Sequence, residues 1–399
     1  MLVHQLIGSY GLFNKCRLID VPKPCSFEEL LTFHTKDFID YVLKNSSEDN
    51  FELEKIQYQQ EVEENRNRIN FNNKQVCEND QAEEGSNEAF IGENVEIESK
   101  NKKIIELSVK DNSFGFEYDC PVILNLFDTI SYLAASSISA ARAIIEKKCH
   151  YAINWFGGWH HAHRDEASGF CYTNDIVFAI LEFLKSNYRR ILYIDLDLHH
   201  GDGVEDSFAH TNKVITLSFH KYEIGFFPGT GQIEPLNLDK RSRYSSLNVP
   251  FKDGLVDEQF FWIFEKIMNE LLPKVEPDVI VCQCGADGLS GDRMKSFSLT
   301  EDSFKKCISI LLRQSSPILF LGGGGYNFPN TARLWTCLTG LIVDEKELNF
   351  DIPEHEFFLH YGPGYELPIT RSNITNRNSS QDLNETLEKV RNLIQKLSF

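Results

Sequence analysis

Five short apolar runs punctuate the chain between residues 151 and 326: YAINWF (151–156), RILYIDLDL (190–198), KVITLSF (213–219), DVIVCQCGAD (278–287) and PILFLGGGGY (317–326). Each is continuous and bounded by turn residues, the pattern of strands buried on both faces. Helical patterns lie between them at 174–185, 256–272 and 300–313, and flank them at 125–148 and 331–343. Strand, helix, strand, repeated, predicts an α/β fold with a central, mainly parallel sheet and helices on both faces. A chain of 399 residues, 42% of them hydrophobic, can bury a core of that kind. A last amphipathic pattern at 380–397, with Leu383, Leu387, Val390 and Ile394 at helical spacing, predicts a surface helix.

The run ILYIDLDLHHGDG (191–203) carries the chemistry. Strand alternation sends Asp195, Asp197 and His199 to one side and Leu196 and Leu198 to the other. Two carboxylates and an imidazole on one buried face need neutralising, because an unpaired buried charge is costly. A divalent ion does this, and the donor set suits zinc with one position open. A solvated acidic strand end is the dull alternative, and His200 and Asp202 in the same turn count against it.

Ligands of open parallel sheets bind beyond the carboxyl ends of the strands. There the other runs place His160 and His161 (GGWHH), Asp287 (GAD), and a four-glycine turn followed by Tyr326. Asp197, His199 and Asp287 then make a three-ligand metal site that polarises a carbonyl and acidifies a bound water. His160 and His161 serve as base and acid, oriented by Asp195 and Asp202. Tyr326 donates its hydroxyl to the developing oxyanion. Together these are the parts of an amide hydrolase.

Net charge is −19, which argues against a nucleic-acid footprint. About half of that excess sits in residues 46–112, with 17 acidic against 8 basic residues, rich in Asn, Gln and Glu and without apolar period. That is the composition of a solvated or disordered insert. The 10 cysteines form no CxxC or small-domain framework, no signal peptide opens the chain, and no apolar run suits a membrane span. Reduced thiols and an intracellular protein are expected.

The segments WHHAHRDEASGFCYTND, YIDLDLHHGDGVED, FHKYEIGFFPGTG, QCGAD and LGGGGYN together resemble the zinc-dependent class I histone deacetylases. The likeness runs from Phe114 to Pro368. Within the class, Asp165, the doubled Phe226-Phe227, HEFF with Tyr361-Gly362-Pro363, and the short C-terminus lean toward one member. The resemblance implies the arginase/deacetylase fold, a single domain over 1–399 with an eight-stranded parallel sheet, interrupted by the 46–112 insert. It implies hydrolysis of N-ε-acetyl-lysine in histone tails and other proteins, with roles in chromatin regulation and transcriptional repression. By position, Asp197, His199 and Asp287 would hold zinc, or ferrous iron in cells. His161 would be the base, His160 its electrostatic partner and Tyr326 the carbonyl polariser. Phe170 and Phe227 would wall a slot for the lysine methylenes, and the Gly169 carbonyl would receive the amide N–H. Asp119 would hold the substrate backbone at the rim, with Met294 there too. Trp159 would line the cavity below the metal, and Gly324 would contact substrate. Potassium would bind the backbone oxygens of Asp195, Asp197 and His199, with help from Ser218.

Two departures stand out. Met1-Leu2-Val3-His4 aligns inside the family's first helix, so the family's first strand, which would lie beside a strand at 16–21, and a cavity-lining arginine are missing. A catalytically weak or inactive binding protein of the same fold is therefore the alternative function. The insert, placed just before Asp119, is the second departure. A binuclear ureohydrolase of this fold needs further carboxylates, yet Gly201 and Leu289 stand where they would be. Corepressor-bound relatives grip an inositol phosphate with basic residues, one just after the glycine turn. Pro329 is there instead, although Arg293 remains, so activity without a corepressor or inositol phosphate is expected. No DNA or membrane contact is expected. Residence in nucleus and cytoplasm follows from the likeness alone.

Overall fold

A computed structural model describes residues 1–21, 23–46, 114–116, 119–233, 244–345 and 347–398. Six strands are found among them: β1 (Tyr151–Asn154), β2 (Ile191–Asp195), β3 (Val214–Lys221), β4 (Ser246–Phe251), β5 (Val279–Gln283) and β6 (Ile318–Leu321). They form one sheet in the order β1-β6-β5-β2-β3-β4, and every pairing is parallel. The main helices in chain order are α1 (Leu2–Ser9), α2 (Phe27–Leu30), α3 (Lys36–Asn45), α4 (Leu126–Ile145), α5 (Asp175–Lys185), α6 (Asp202–Phe208), α7 (Asp257–Val275), α8 (Glu301–Leu311), α9 (Phe328–Ile342) and α10 (Ser380–Lys396).

The sheet splits the core in two. Leu192 and Ile194 of β2 face one cluster, shared with Phe260 and Phe264 of α7, Phe304 of α8 and Leu338 of α9. Ile191 and Tyr193 face the other, shared with Ile176 and Ile180 of α5 and Ile144 of α4. All five β2 residues are buried, so an apolar run without polar alternation is what this position demands. The ladder stops at Asp195, three residues short of the predicted end. The alternation continues past it, because Leu196 and Leu198 stay in the same cluster as Leu192 and Ile194.

The α/β architecture of the arginase/deacetylase fold is present, with two differences in strand content. Residues 16–21, read as a strand, form none: a 3-10 turn at Leu12–Lys15 leads into extended backbone, and Leu18 and Ile19 are exposed. Extended chain without a ladder neighbour cannot satisfy its backbone groups in a sheet and stays outside it. Six strands are therefore described where the resemblance implied eight. Conversely, β4 was not anticipated. Its Leu247, Val249 and Phe251 are buried at alternate positions, while Ser246, Asn248 and Pro250 obscure the run. β4 pairs only with β3, and an edge strand tolerates proline.

The C-terminal helix α10 opens on a capping box between Ser379 and Asp382. Leu383, Leu387, Val390 and Ile394 are all buried and join the larger core cluster, beside Leu271 and Val275 of α7. Residues 47–113, which hold nearly all of the acidic insert, lie outside the described residues. Its flanks are fixed in the fold: Asn125 N–H donates to Ser46 O at 3.2 Å, and Ala167 N–H to Phe114 O at 2.8 Å.

Candidate active site

The carboxyl ends of β1, β2, β5 and β6 meet at one edge of the sheet. Asp197, His199 and Asp287, all buried, offer ligand atoms within 4.8 Å of one another. His199 Nδ1 is 2.8 Å from Asp287 Oδ2 and 3.3 Å from Asp197 Oδ1. Each carboxylate is also held from behind. Asp197 Oδ2 accepts Gln283 Nε2–H and Gly324 N–H, both at 2.8 Å, and Asp287 Oδ1 accepts Leu198 N–H at 2.8 Å. The surrounding backbone comes so close that side chains are excluded. A Cβ on Gly285 would lie 2.0 Å from Asp197 Oδ2, and one on Gly324 2.4 Å from Asp287 Oδ2.

This group fits a metal ion. Two buried carboxylates and an imidazole converge, and among the described residues no Lys or Arg pairs with either carboxylate. Burial and the neighbouring Asp197 push the Asp287 carboxyl up to about 7 against the opposing pull of His199, while His160 and His199 overcome burial at Asp197 and hold it well below the ordinary carboxylate range. Among the described residues, no further group of ligands adjoins this one. Leu289 is a core residue, and a Cβ on Gly201 would meet Asp195 Oδ2 at 2.2 Å.

Beyond the strand β1, the chain turns through Gly157 and Gly158 to His160 and His161. His160 Nδ1 lies 2.7 Å from Asp195 Oδ2, and the same oxygen accepts the Tyr193 hydroxyl at 2.6 Å. His161 Nδ1 lies 2.7 Å from Asp202 Oδ1. The ring centroids of the two histidines are 4.0 Å apart and both side chains are buried. Burial disfavours charge on both, yet they diverge. Asp195 and Asp197 overcome burial at His160 and raise it to about 9, whereas burial and the adjacent His160 take His161 down to about 4. Neutral His161 has its Nδ1 engaged by Asp202, which leaves Nε2 as the free base.

Around this centre stand the residues expected to line a slot. Gly169 packs so tightly that a Cβ there would lie 2.5 Å from His161 Cδ2 and 2.8 Å from the Phe227 ring. Phe227 meets His161 edge-on at 4.8 Å, and Phe170, in the left-handed region at φ 67°, meets Tyr326 at 5.7 Å. Both phenylalanines are partly exposed. Asp119 Oδ2 accepts Gly169 N–H at 3.1 Å, which ties the rim to the slot. Buried Asp292 accepts the N–H of Tyr326 at 2.7 Å and of Asn327 at 3.0 Å, and Met294 N–H at 2.9 Å. Burial and the Asp287 and Asp197 carboxylates push the Tyr326 phenol far above the ordinary tyrosine value, so it remains a donor.

Two residues border this cluster without bonding its side chains. Trp159 donates Nε1–H to Phe156 O at 2.9 Å and packs toward Tyr172. Ser218 faces Asp195 across the β2–β3 register, where its hydroxyl meets His220 Nδ1 at 2.8 Å. Tyr193, Gln283 and Asp292 were not anticipated. Tyr193 was findable, being two residues before Asp195 on one strand. Gln283 is the lone polar residue of β5, a weaker signal.

Residues 1–342 match the family model of the histone deacetylase domain, and the chain belongs to the histone deacetylase family, whose members are deacetylating hydrolases. Within it, the likeness leans to histone deacetylase 8. The protein of that name from Xenopus tropicalis is 40% identical over 391 residues, covering 98% of this chain and 90% of its own length. Its counterpart from Xenopus laevis is 48% identical over 278 residues, 70% of this chain and 85% of its own. Human histone deacetylase 1 is 36% identical over 390 residues, 98% of this chain and 68% of its own.

Proposed function

We propose that this chain is a zinc-dependent protein lysine deacetylase that cleaves N-ε-acetyl-lysine to lysine and acetate. The observation that carries the reading is the buried Asp197–His199–Asp287 group beside two histidines, each held by its own carboxylate. Zinc bound by those three residues supplies an electrophile for the acetyl carbonyl and lowers the pKa of water; ferrous iron suits the same donors. His161 Nε2 takes the proton of the attacking water and delivers it to the departing lysine nitrogen, while Asp202 steadies the charged ring. His160, held charged by Asp195, adds positive potential where negative charge develops. The Tyr326 hydroxyl donates to the carbonyl oxygen as it becomes an oxyanion. Phe170 and Phe227 strip water from the lysine methylenes, the Gly169 carbonyl accepts the amide N–H, and Asp119 holds the substrate backbone. Trp159, Met294 and Gly324 complete the cavity and rim. The backbone oxygens of Asp195, Asp197 and His199, with Ser218, would hold a potassium ion, which would add positive charge behind the metal group.

Substrates on this reading are histone tails and other acetylated proteins in nucleus and cytoplasm, with a repressive role in transcription. Arg293 stacks over Phe328 at 5.9 Å, and Pro329 contributes no charge, which supports activity without a corepressor or inositol phosphate. No helix among the described residues is long and apolar enough to cross a membrane. The test is a zinc titration of the metal-stripped chain against a fluorogenic acetyl-lysine peptide. Turnover rising to one equivalent is expected. Zinc binding without turnover would leave a non-catalytic binding protein of the same fold.

A further inference from the structure

The turn that delivers the histidine pair is held by a carboxylate that touches neither ring. Asp175, the first residue of α5, is fully buried. It accepts the N–H of Gly158 at 3.0 Å (Oδ2) and 3.1 Å (Oδ1), the N–H of Trp159 at 2.9 Å, and the Ser137 hydroxyl at 2.5 Å. Among the described residues no cationic side chain pairs with it. The preceding Asn174 donates Nδ2–H to the carbonyls of His160 at 3.2 Å and Ala162 at 3.0 Å. The two residues that open α5 thus grip the chain on both sides of the histidine pair.

Helix capping does not account for Asp175. Asn174 already caps α5 by accepting Val177 N–H at 3.2 Å. The turn, in contrast, is shaped around the carboxylate: a Cβ on Gly157 would lie 2.4 Å from Asp175 Oδ2, and Gly158 adopts φ 101°. The Gly158 peptide also reaches the metal group. Its carbonyl accepts Gln283 Nε2–H at 3.3 Å, and the same nitrogen holds Asp197 Oδ2 at 2.8 Å. Burial raises the Asp175 pKa against the opposing bonds from Ser137, Trp159 and Gly158, so the protein retains an unpaired buried carboxylate at some cost.

We propose that Asp175 is a positioning residue for the deacetylation step: it fixes the 158–161 backbone so that His160 and His161 meet Asp195 and Asp202 while facing the metal group. The inference rests on His161 and His160 acting in proton transfer and electrostatics as described above. A displaced base should cost rate more than substrate affinity: Gly169 and Phe227 pack against His161 but stand, with Phe170, on other segments of the chain.

The test compares Asp175→Ala and Asp175→Asn in the zinc-loaded full chain, with kcat expressed per bound zinc. Asp175→Ala should lower kcat by about 10- to 10²-fold at unchanged KM and zinc stoichiometry. Asp175→Asn keeps an oxygen for the Gly158 and Trp159 amides and can donate to Ser137, so it should stay within about fivefold of wild type, one hydrogen bond's worth. A substrate-free readout separates this from the functional reading: the downfield ring N–H resonances of His160 and His161 should persist in Asp175→Asn and be lost or shifted in Asp175→Ala. Unchanged resonances and kcat in Asp175→Ala would overturn the proposal, as would equal losses in both variants. If Asp175→Ala does not fold, Asp175→Ser takes its place under the same criteria. Wild-type chain without turnover, but with the resonances responding as stated, would sink the deacetylase reading and leave Asp175 as the residue that positions the histidine pair.

Discussion

Asp202 Oδ1 lies 2.7 Å from His161 Nδ1, and Asp202 itself is drawn well below the ordinary carboxylate range: the His161 and His163 partners outweigh its burial. The imidazole that faces the slot is thereby fixed in one tautomer and supplied with a permanent counter-charge. His161→Ala should abolish acetyl-lysine turnover yet keep one zinc per chain, because Asp197, His199 and Asp287 remain. Asp287→Ala should do the reverse first, losing zinc, with excess metal restoring little activity. Metal analysis beside the peptide assay separates the two, and full activity in His161→Ala would remove it from the mechanism.

Tyr326→Phe deletes one donor while preserving ring shape and the contact with Phe170. Turnover should slow by roughly 10²–10³-fold with little change in melting temperature. An unaltered rate constant would mean that the phenol does not stabilise the oxyanion.

Acid should destabilise the fold partly through His34. This buried ring contacts Thr173 Oγ1 at 2.8 Å and Arg164 O at 3.1 Å, and burial lowers it from 6.5 to about 4. Between those two values the unfolded chain binds a proton that the folded chain refuses, so stability falls as pH drops through that window and is fully present above it. The contribution at stake is about 3 kcal/mol. Urea unfolding of wild type and His34→Gln from pH 7 to 4 should show a shallower pH slope in the variant; identical slopes would place the proton on His34 in the folded state.

Replacing residues 47–112 by a short Gly/Ser linker should leave neutral-peptide turnover almost unchanged. Ser46 and Phe114, which anchor the two ends, are retained. Closing a shorter loop recovers roughly 0.6 kcal/mol per halving of length. Highly basic protein substrates should lose encounter rate at low salt, an effect that fades as the screening length shortens to about 8 Å. Unfolding of the shortened chain, or equal losses on neutral peptides, would make the insert structural.

What the sequence revealed depended on range. Alternation within ILYIDLDLHH was enough to gather Asp195, Asp197 and His199, because facing is a local property of a strand. Strand ends at a shared sheet edge then brought in His160, Asp287 and Tyr326. β4 escaped because Pro250 and its polar neighbours hide three alternating apolar residues. The strand expected at 16–21 is not there, since strand formation depends on a neighbour as well as on composition. Asp292 and Asp175 were illegible for a related reason: their partners are backbone amides 34 and 16–17 residues away, which no side-chain pattern encodes.

The end of β2 that leads into Asp197 and His199 sits at the middle of the sheet, flanked by β5 and β3. The amides of Leu196, Asp197, Leu198 and His199 are each bonded, to Gln283 O, Asp195 Oδ1, Asp287 Oδ1 and Asp197 Oδ1. Amide protons bonded in this way are expected to exchange with solvent chiefly through large-scale opening of the domain. The cage is therefore standing before any ion arrives. If the group holds an ion as proposed, its ligands need little rearrangement to bind it, and chelators competing for the zinc-loaded chain are expected to strip it slowly.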